Sequence, residues 1–432
     1  MRIALLIPGT CEAFYCENCL RDLELFEALQ RLGHEAVLVP LYLPLTADAA
    51  RRPGEAPLFF GGLNVYLGER TVLGRREPAW LRRMLNWRRL LRWAARASSL
   101  TSPRDLGEST LSMLQGRHAY LVRELERLVR WLADEGRPDA VVLSTVLLAG
   151  LGRGIRERLG VPVAALLQDE DAFLDALPEE FGPPAWRAVA EGAGGLDLLI
   201  AVSSYFRDVM VRRLGLAPGR VRAVRMGLDP SGYGPAAGPP GPPVVGFLSP
   251  AVRNKGLDLV WEAVRGLREE PPLAGLRLRA SGGQAVGSRE FLRDLKRRIR
   301  RAGLGEAVEF LPNFGRPRRQ EFLRSLTVLA VPLRQPEAFG MWALEALASG
   351  VPAVGPRHGG LVEIAEATGG VRLVEPGDPD ALRQALRDLL LGPDEARRIG
   401  LAGRRAVLER FTADRAAREV VAALEDLAAG RS

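Results

Sequence analysis

Leu333-Arg334-Gln335-Pro336-Glu337-Ala338-Phe339-Gly340-Met341-Trp342-Ala343-Leu344-Glu345 is the stretch on which the reading of this chain turns. An apolar run at 327–331 precedes it and another at 351–354 follows it. Both runs read as short buried strands, and 341–349 between them reads as a helix. An irregular loop therefore leaves a strand and feeds a helix N-terminus. In open α/β sheets, ligands bind in that crevice, outside the carboxyl ends of the strands. Two carboxylates flank the turn, Glu337 in the loop and Glu345 on the helix. Gly340 stands where backbone can approach a ligand closely. Free N–H groups at the helix start, around Phe339, Gly340 and Met341, suit an anion such as a phosphate. By spacing alone, a surface loop with two solvated acids accounts for the same residues.

Working outward, the runs on either side alternate between helix and strand. Residues 2–7 read as a strand, 20–32 as a helix stopping at Gly33, and 35–40 as a second strand, which makes a β-α-β unit. Residues 41–115 interrupt that rhythm, with a helical insertion expected around 75–115. Within it, Trp80, Met84, Trp87 and Leu91 fall on one helical face, while Arg82, Arg83, Arg89 and Arg96 lie mostly elsewhere. A basic helix bearing tryptophans can lie in an anionic membrane interface, or it can pack as a cap on the domain. The alternation resumes with helices at 120–133 and 147–159 and strands at 140–143, 163–167 and 196–202, after which Ser203 or Ser204 caps a helix. The polar run Gln168-Asp169-Glu170-Asp171 ends the 163–167 strand. It reads either as cleft-facing or as an ordinary helix start.

Residues 229–243, rich in Pro and Gly, read as a linker. A second α/β domain then begins with a strand at 244–248. The loop Ser249-Pro-Ala-Val-Arg-Asn-Lys-Gly256 follows and leads into a helix. Helices at 379–391, 394–409 and 412–428 close the chain. The expected division is 1–236, 237–411 and a C-terminal helix at 412–432.

Composition narrows the class. The chain has 432 residues, 47% of them hydrophobic, enough for ordinary globular cores. No run reaches the ~18 apolar residues of a spanning helix, and the first strand is shorter than the ~7–15-residue core of a signal peptide. A cytoplasmic protein, with the membrane's inner face as an alternative site, is the expectation. The formal charge is +8, but the arginines are scattered, which gives little reason to expect nucleic acid binding. The only lysines are Lys255 and Lys296, so an ammonium ion in the 249–256 loop stands out against an arginine background. Cys11, Cys16 and Cys19 are the only cysteines, and an odd number argues against a disulfide framework. With no second Cys pair to complete a zinc site, a reduced structural pair at 16 and 19 is expected.

Residues 336–340, 345–354 and His358-Gly-Gly-Leu-Val-Glu363, together with Gly33-His34 and Gly227-Leu228-Asp229, resemble the donor-binding segments of glycosyltransferase family 4. The Tyr15–Asp22 run, Tyr-Cys-Glu-Asn-Cys-Leu-Arg-Asp, looks like the motif of a bacterial subgroup. The resemblance covers most of the chain and is strongest over 244–365. It implies a GT-B fold, with two facing Rossmann-like domains of parallel sheets and a last helix crossing back to the first domain. It implies a retaining, metal-independent sugar transferase with a nucleotide-diphosphate sugar as co-substrate and a glycan or lipid-linked acceptor; no cofactor and no Asp-x-Asp metal motif are expected. Lys255 and Arg253 would hold the diphosphate, Glu337 the transferred sugar and Glu345 the ribose. Gly9 and Gly360 would line the donor site, with Gly359 and Glu363 beside them. Gln168, Asp169 and Ser144 would face the acceptor cleft. The sequence departs from the family pattern in four ways: Gly9 lacks a second glycine, no histidine stands near 144 or 168, Phe247 and Pro250 stand where an arginine is usual, and Asp169 replaces a common glycine. These departures leave open a degenerate relative that binds a nucleotide or glycan without transfer.

Overall fold

The computed structural model describes residues 1–9, 14–42, 56–60, 103–115, 119–238, 241–285 and 287–429. The tryptophan- and arginine-rich stretch 80–97, Cys11 and His118 lie outside them, while Pro103–Gln115, at the end of the expected insertion, is helical.

Contacts divide the chain into two units, each discontinuous in sequence. The first comprises Met1–Thr10, Asp22–Arg225 and Ala416–Ser432; the second comprises Cys11–Arg21 and Met226–Arg415. The changeover at Arg225 falls before the expected boundary at 236 because the chain beyond it is tied down. Leu228 N–H donates to Phe411 O at 3.0 Å, Ala413 N–H donates to Leu228 O at 2.9 Å, and Gln320 Nε2 donates to Ser231 O at 2.9 Å.

In the first unit, β1 (Arg2–Ile7), β2 (Glu35–Pro40), β3 (Ala140–Leu143), β4 (Val163–Leu167), β5 (Leu198–Ala201) and β6 (Val221–Ala223) form one parallel sheet in the order β2-β1-β3-β4-β5-β6. β3 and β4 are buried along their whole length, as continuous apolar runs in a doubly covered parallel sheet require. The strand order reverses between β1 and β3. Ser203 caps the Ser204–Leu214 helix, its hydroxyl accepting from Phe206 N–H at 3.0 Å.

In the second unit, β7 (Val244–Leu248), β8 (Arg277–Ser281), β9 (Val308–Phe310), β10 (Val328–Ala330), β11 (Ala353–Pro356) and β12 (Val371–Val374) form a second parallel sheet in the order β12-β11-β10-β7-β8-β9. Here the order reverses between β7 and β10, whose register pairs Val245 with Val328 and Gly246 with Leu329. The turns after these two strands are the 249–256 loop and the 331–340 loop, so the topology brings together the two stretches singled out in the sequence. Trp261, Trp342, Phe247, Phe339 and Phe411 are fully buried around them. Burying each such side chain contributes roughly 1.5–3 kcal/mol.

The Met341–Ala348 helix is buried at every position, as an almost wholly apolar helix demands. Glu345 is its one charged residue, and a buried carboxylate has to be paired or hydrogen-bonded.

Candidate donor site

Lys255 closes a short helical turn, Arg253–Lys255, directly after β7. Gly256 follows with φ +78°, and a Cβ there would lie 2.3 Å from Pro332 O. The backbones after β7 and β10 therefore touch at a position where only glycine fits. Arg334 fastens the same junction. Its Nη1 and Nη2 reach the two Asp258 oxygens at 2.9 and 2.8 Å, its N–H donates to Asn254 O at 2.8 Å, and Nη1 also donates to Arg253 O. A forked guanidinium holding a carboxylate with both arms fixes direction as well as distance. The outcome is an ion pair between Lys255 Nζ and Glu337 Oε1. Glu337 Oε2 accepts from Trp342 Nε1 at 3.3 Å. Both members of the pair stay partly open to solvent, at 20% and 10% side-chain exposure, so a ligand can reach them. Arg253 shares the turn, but its side chain is exposed.

The 358–360 turn packs behind this pair. Gly360 N–H donates to Glu337 O at 2.9 Å. A Cβ at Gly360 would lie 2.2 Å from Ala338 O, and one at Gly359 2.6 Å from Glu337 O. Gly359 and Gly360 therefore serve by letting two backbones meet. His358 Nε2 lies 3.2 Å from Leu333 O, and burial lowers its pKa.

Glu345 is 2% exposed and carries three partners. Arg319 Nε donates to Oε1 at 2.6 Å, Tyr233 OH to Oε1 at 2.5 Å and Tyr15 OH to Oε2 at 2.5 Å. Burial, reinforced by the Glu345 charge, pushes both tyrosines well above their ordinary pKa of 10.0, so both hydroxyls keep their protons and donate. For Arg319, burial pulls the pKa down, but Glu345 and the tyrosines outweigh it and the net shift is upward. At the N-terminus of the same helix, Met341 N–H donates to Glu17 Oε2 at 2.8 Å. Phe339 contributes a buried ring, 6.3 Å from the ring of Phe411.

The ends of β7, β8 and β9 line a cavity of about 210 Å³. Phe247, Phe310 and Pro312 give it flat apolar walls, and Ser249, Ser281 and Lys296 give it polar edges. Phe247, which stands at a position where the family pattern has an arginine, is thus a cavity wall.

In the first unit, Gln168 and Ser144 meet: Gln168 Nε2 donates to Ser144 O at 2.5 Å and to Asp22 Oδ1 at 3.1 Å. The buried Ser144 hydroxyl has no hydrogen-bond partner among the described residues. Asp169 adopts φ +69°, a left-handed conformation that suits glycine. It opens the short Glu170–Leu174 helix. Glu170 turns inward, accepting from Thr145 Oγ1 at 2.7 Å and Gln168 N–H at 2.6 Å. Burial raises its pKa to about 7 against those hydrogen bonds. Gly9 is buried at the end of β1 with φ +128°.

Lys255, Glu337, Gly360, Met341 and Glu345 are therefore drawn into one region of the second unit, and Ser144 and Gln168 into one region of the first. Arg319, Tyr233 and Arg334 were not singled out in the sequence as site residues, while Glu170 was noted only as part of the 168–171 polar run. A buried glutamate on an apolar helix signals that partners exist, without saying where in the chain they lie. The expectation of a reduced cysteine pair is corrected: Cys16 and Cys19 form a disulfide with Cα atoms 5.3 Å apart. Residues three apart at a helix start face one another, within bridging distance.

Two Rossmann-like units, each built on a six-stranded parallel sheet, give the chain the GT-B architecture of a large class of transferases. Residues 236–406 match the family described as glycosyl transferases group 1, and residues 104–231 match glycosyltransferase family 4. A D-inositol 3-phosphate glycosyltransferase of Catenulispora acidiphila is 31% identical over 67% of this chain and 69% of its own length. An MMP alpha-(1->4)-mannosyltransferase of Mycolicibacterium hassiacum is 30% identical over 52% of this chain; the match spans about half of that relative, 53%. The structure of HepE from Anabaena, solved with UDP and glucose, superposes with a TM-score of 0.69 at 18% identity, covering 98% of this chain and 99% of HepE. The chain belongs to the group 1, family 4 glycosyltransferases.

Proposed function

We propose that this protein transfers a sugar from a nucleotide-diphosphate donor to a hydroxyl of a glycan or lipid-linked acceptor, with retention of anomeric configuration and without a metal. The observation that carries this reading is the Lys255–Glu337 pair held at the point where the strand order reverses. An ammonium ion there meets the charge that develops on a departing diphosphate. Preorganised charge of this kind is commonly worth several kcal/mol in a transition state. Glu337, released from Lys255 by the incoming phosphate, accepts hydrogen bonds from the sugar hydroxyls. The cavity walled by Phe247, Phe310 and Pro312 suits a flat base with polar edges. The bond from the anomeric carbon to the diphosphate breaks, a bond to the acceptor oxygen forms on the same face, and the acceptor proton passes to the leaving phosphate. Gln168, Ser144 and Asp169 belong to the acceptor side. The relatives' names point to phosphorylated or glycosidic acceptors, and HepE to a uridine nucleotide.

The test is turnover of UDP- and GDP-sugars in the presence of a chelator, with product configuration read by proton NMR. Lys255→Ala is expected to lower kcat by ~10²-fold or more, the scale seen when one transition-state donor is removed. Unchanged turnover in that variant, or turnover abolished by the chelator, would overturn the assignment.

A further inference from the structure

Two anchor points assigned above to the donor are occupied from within the chain. Tyr15 OH donates to Glu345 Oε2 at 2.5 Å, where a ribose hydroxyl would donate. Glu17 Oε2 accepts from Met341 N–H at 2.8 Å, where a phosphate oxygen would accept. One segment thus presents a hydroxyl and an anion in the order in which a nucleotide presents its sugar and its diphosphate. The segment is seated on the same sheet end. Tyr15 N–H donates to Gly282 O at 2.8 Å, Phe14 bridges to Gly283 on the rim of the cavity, and the Arg319 guanidinium lies 5.7 Å from the Tyr15 ring centre. Cys16 stands between the two mimicking residues and is closed onto Cys19 by the disulfide. Both cysteines are only partly buried, so a reductant can reach them.

We propose that residues 14–17 are an internal competitor for the ribose-diphosphate part of the donor, latched in place by the Cys16–Cys19 disulfide. This rests on the donor-site reading above. A dithiol reductant delivers two electrons and two protons to the disulfide, leaving two protein thiols and an oxidised dithiol. The cross-link had restricted the segment's alternative conformations, and its loss restores them. Tyr15 and Glu17 flank the reduced cysteine, so they leave their anchors together. Removing one such competing hydrogen bond to a charged group tightens the ligand by roughly tenfold.

The experiment is calorimetric titration of the full chain with UDP and with GDP, in the presence and absence of dithiothreitol. The panel is the wild type, Tyr15→Phe/Glu17→Gln, Cys16→Ser/Cys19→Ser and Lys255→Ala. Reduction is expected to tighten binding to the wild type by ~10-fold, and both double variants are expected to bind tightly whether or not reductant is present. The wild-type comparison needs no substitution, so a poorly folding variant leaves the test intact. Affinity that is unchanged or weaker in the reduced wild type overturns the proposal: the segment then merely supports Glu345 and the helix. If that result comes with loss of binding in Lys255→Ala, the donor site stands and the competitor falls. If no protein in the panel binds either nucleotide, reduced or not, both readings fall together.

Discussion

Glu345 shows what a single buried charge requires. Its oxygens hold a guanidinium and two phenols, and none of the three lies within 25 residues of it in sequence. Removing one partner of a buried ion pair strands the other and costs ~3–5 kcal/mol. Arg319→Ala is therefore expected to lower stability by about that amount, read from urea unfolding midpoints. Glu170 makes a different prediction. Its ordinary pKa is 4.5 and burial raises it to about 7 in the folded protein. Between those values the folded state holds a proton that the unfolded state has released, so stability falls as pH rises through that window. The total is roughly 3 kcal/mol at full burial. Unfolding at pH 5 and pH 8 should show this slope in the wild type and lose it in Glu170→Gln. At this scale the sequence was partly legible. Glu337 and Glu345 stood out through the family resemblance of the segment that carries them, and Lys255 through that resemblance and the rarity of lysine. Arg319 and Tyr233 did not, because the partners of a buried carboxylate are chosen by the fold and leave no local pattern.

At the scale of elements, the site is a meeting of turns. The turns after β7 and β10 are clamped by Arg334 on Asp258, and the 359–360 turn presses against the 337–339 backbone. Gly360→Ala would force a methyl to within 2.2 Å of Ala338 O. Overpacking of this kind costs ~1–3 kcal/mol. The loop carrying Glu337 would shift, so nucleotide affinity should fall along with the melting temperature. An unaltered affinity in this variant would separate the turn from the site. Strands were the most legible elements, because buried parallel strands read as unbroken apolar runs. The 229–243 stretch was legible only as irregular backbone. Its Tyr233 is 5% exposed, and Arg316 lies over its ring at 5.6 Å. A proline- and glycine-rich composition predicts the absence of regular structure but does not predict exposure.

At the scale of the molecule, each unit borrows a piece of chain from the far end of the other's sequence. The last helix, Ala413–Ala429, begins in the second unit and ends in the first, and Cys11–Arg21 joins the second across more than 200 residues. The donor contacts proposed through Lys255, Glu337 and Glu345 lie in the second unit, whereas Gly9, expected to line the donor site, belongs to the first. A nucleotide at 100 times its Kd should therefore stabilise the second unit by about 2.7 kcal/mol. Scanning calorimetry would show this as an upward shift of the transition belonging to the second unit, and a shift confined to the other unit would contradict the assignment. The alternation of helix and strand on either side of the 229–243 linker revealed two α/β units, but the exchange of short segments between them was not legible. Segments such as Tyr15–Asp22 carry no apolar periodicity that would say which sheet they join.

The separation between Tyr15 and Glu345 is 330 positions, and that between Glu17 and Met341 is 324. A ribosome adding ~5–20 residues per second leaves the early segment waiting roughly 15–65 s for the surface it will dock on. Until then the Tyr15 hydroxyl and the Glu17 carboxylate lack the partners they hold in the folded chain. The pocket can be completed only after Met341 and Glu345 have been added, so binding competence arises long after Tyr15 and Glu17 are made.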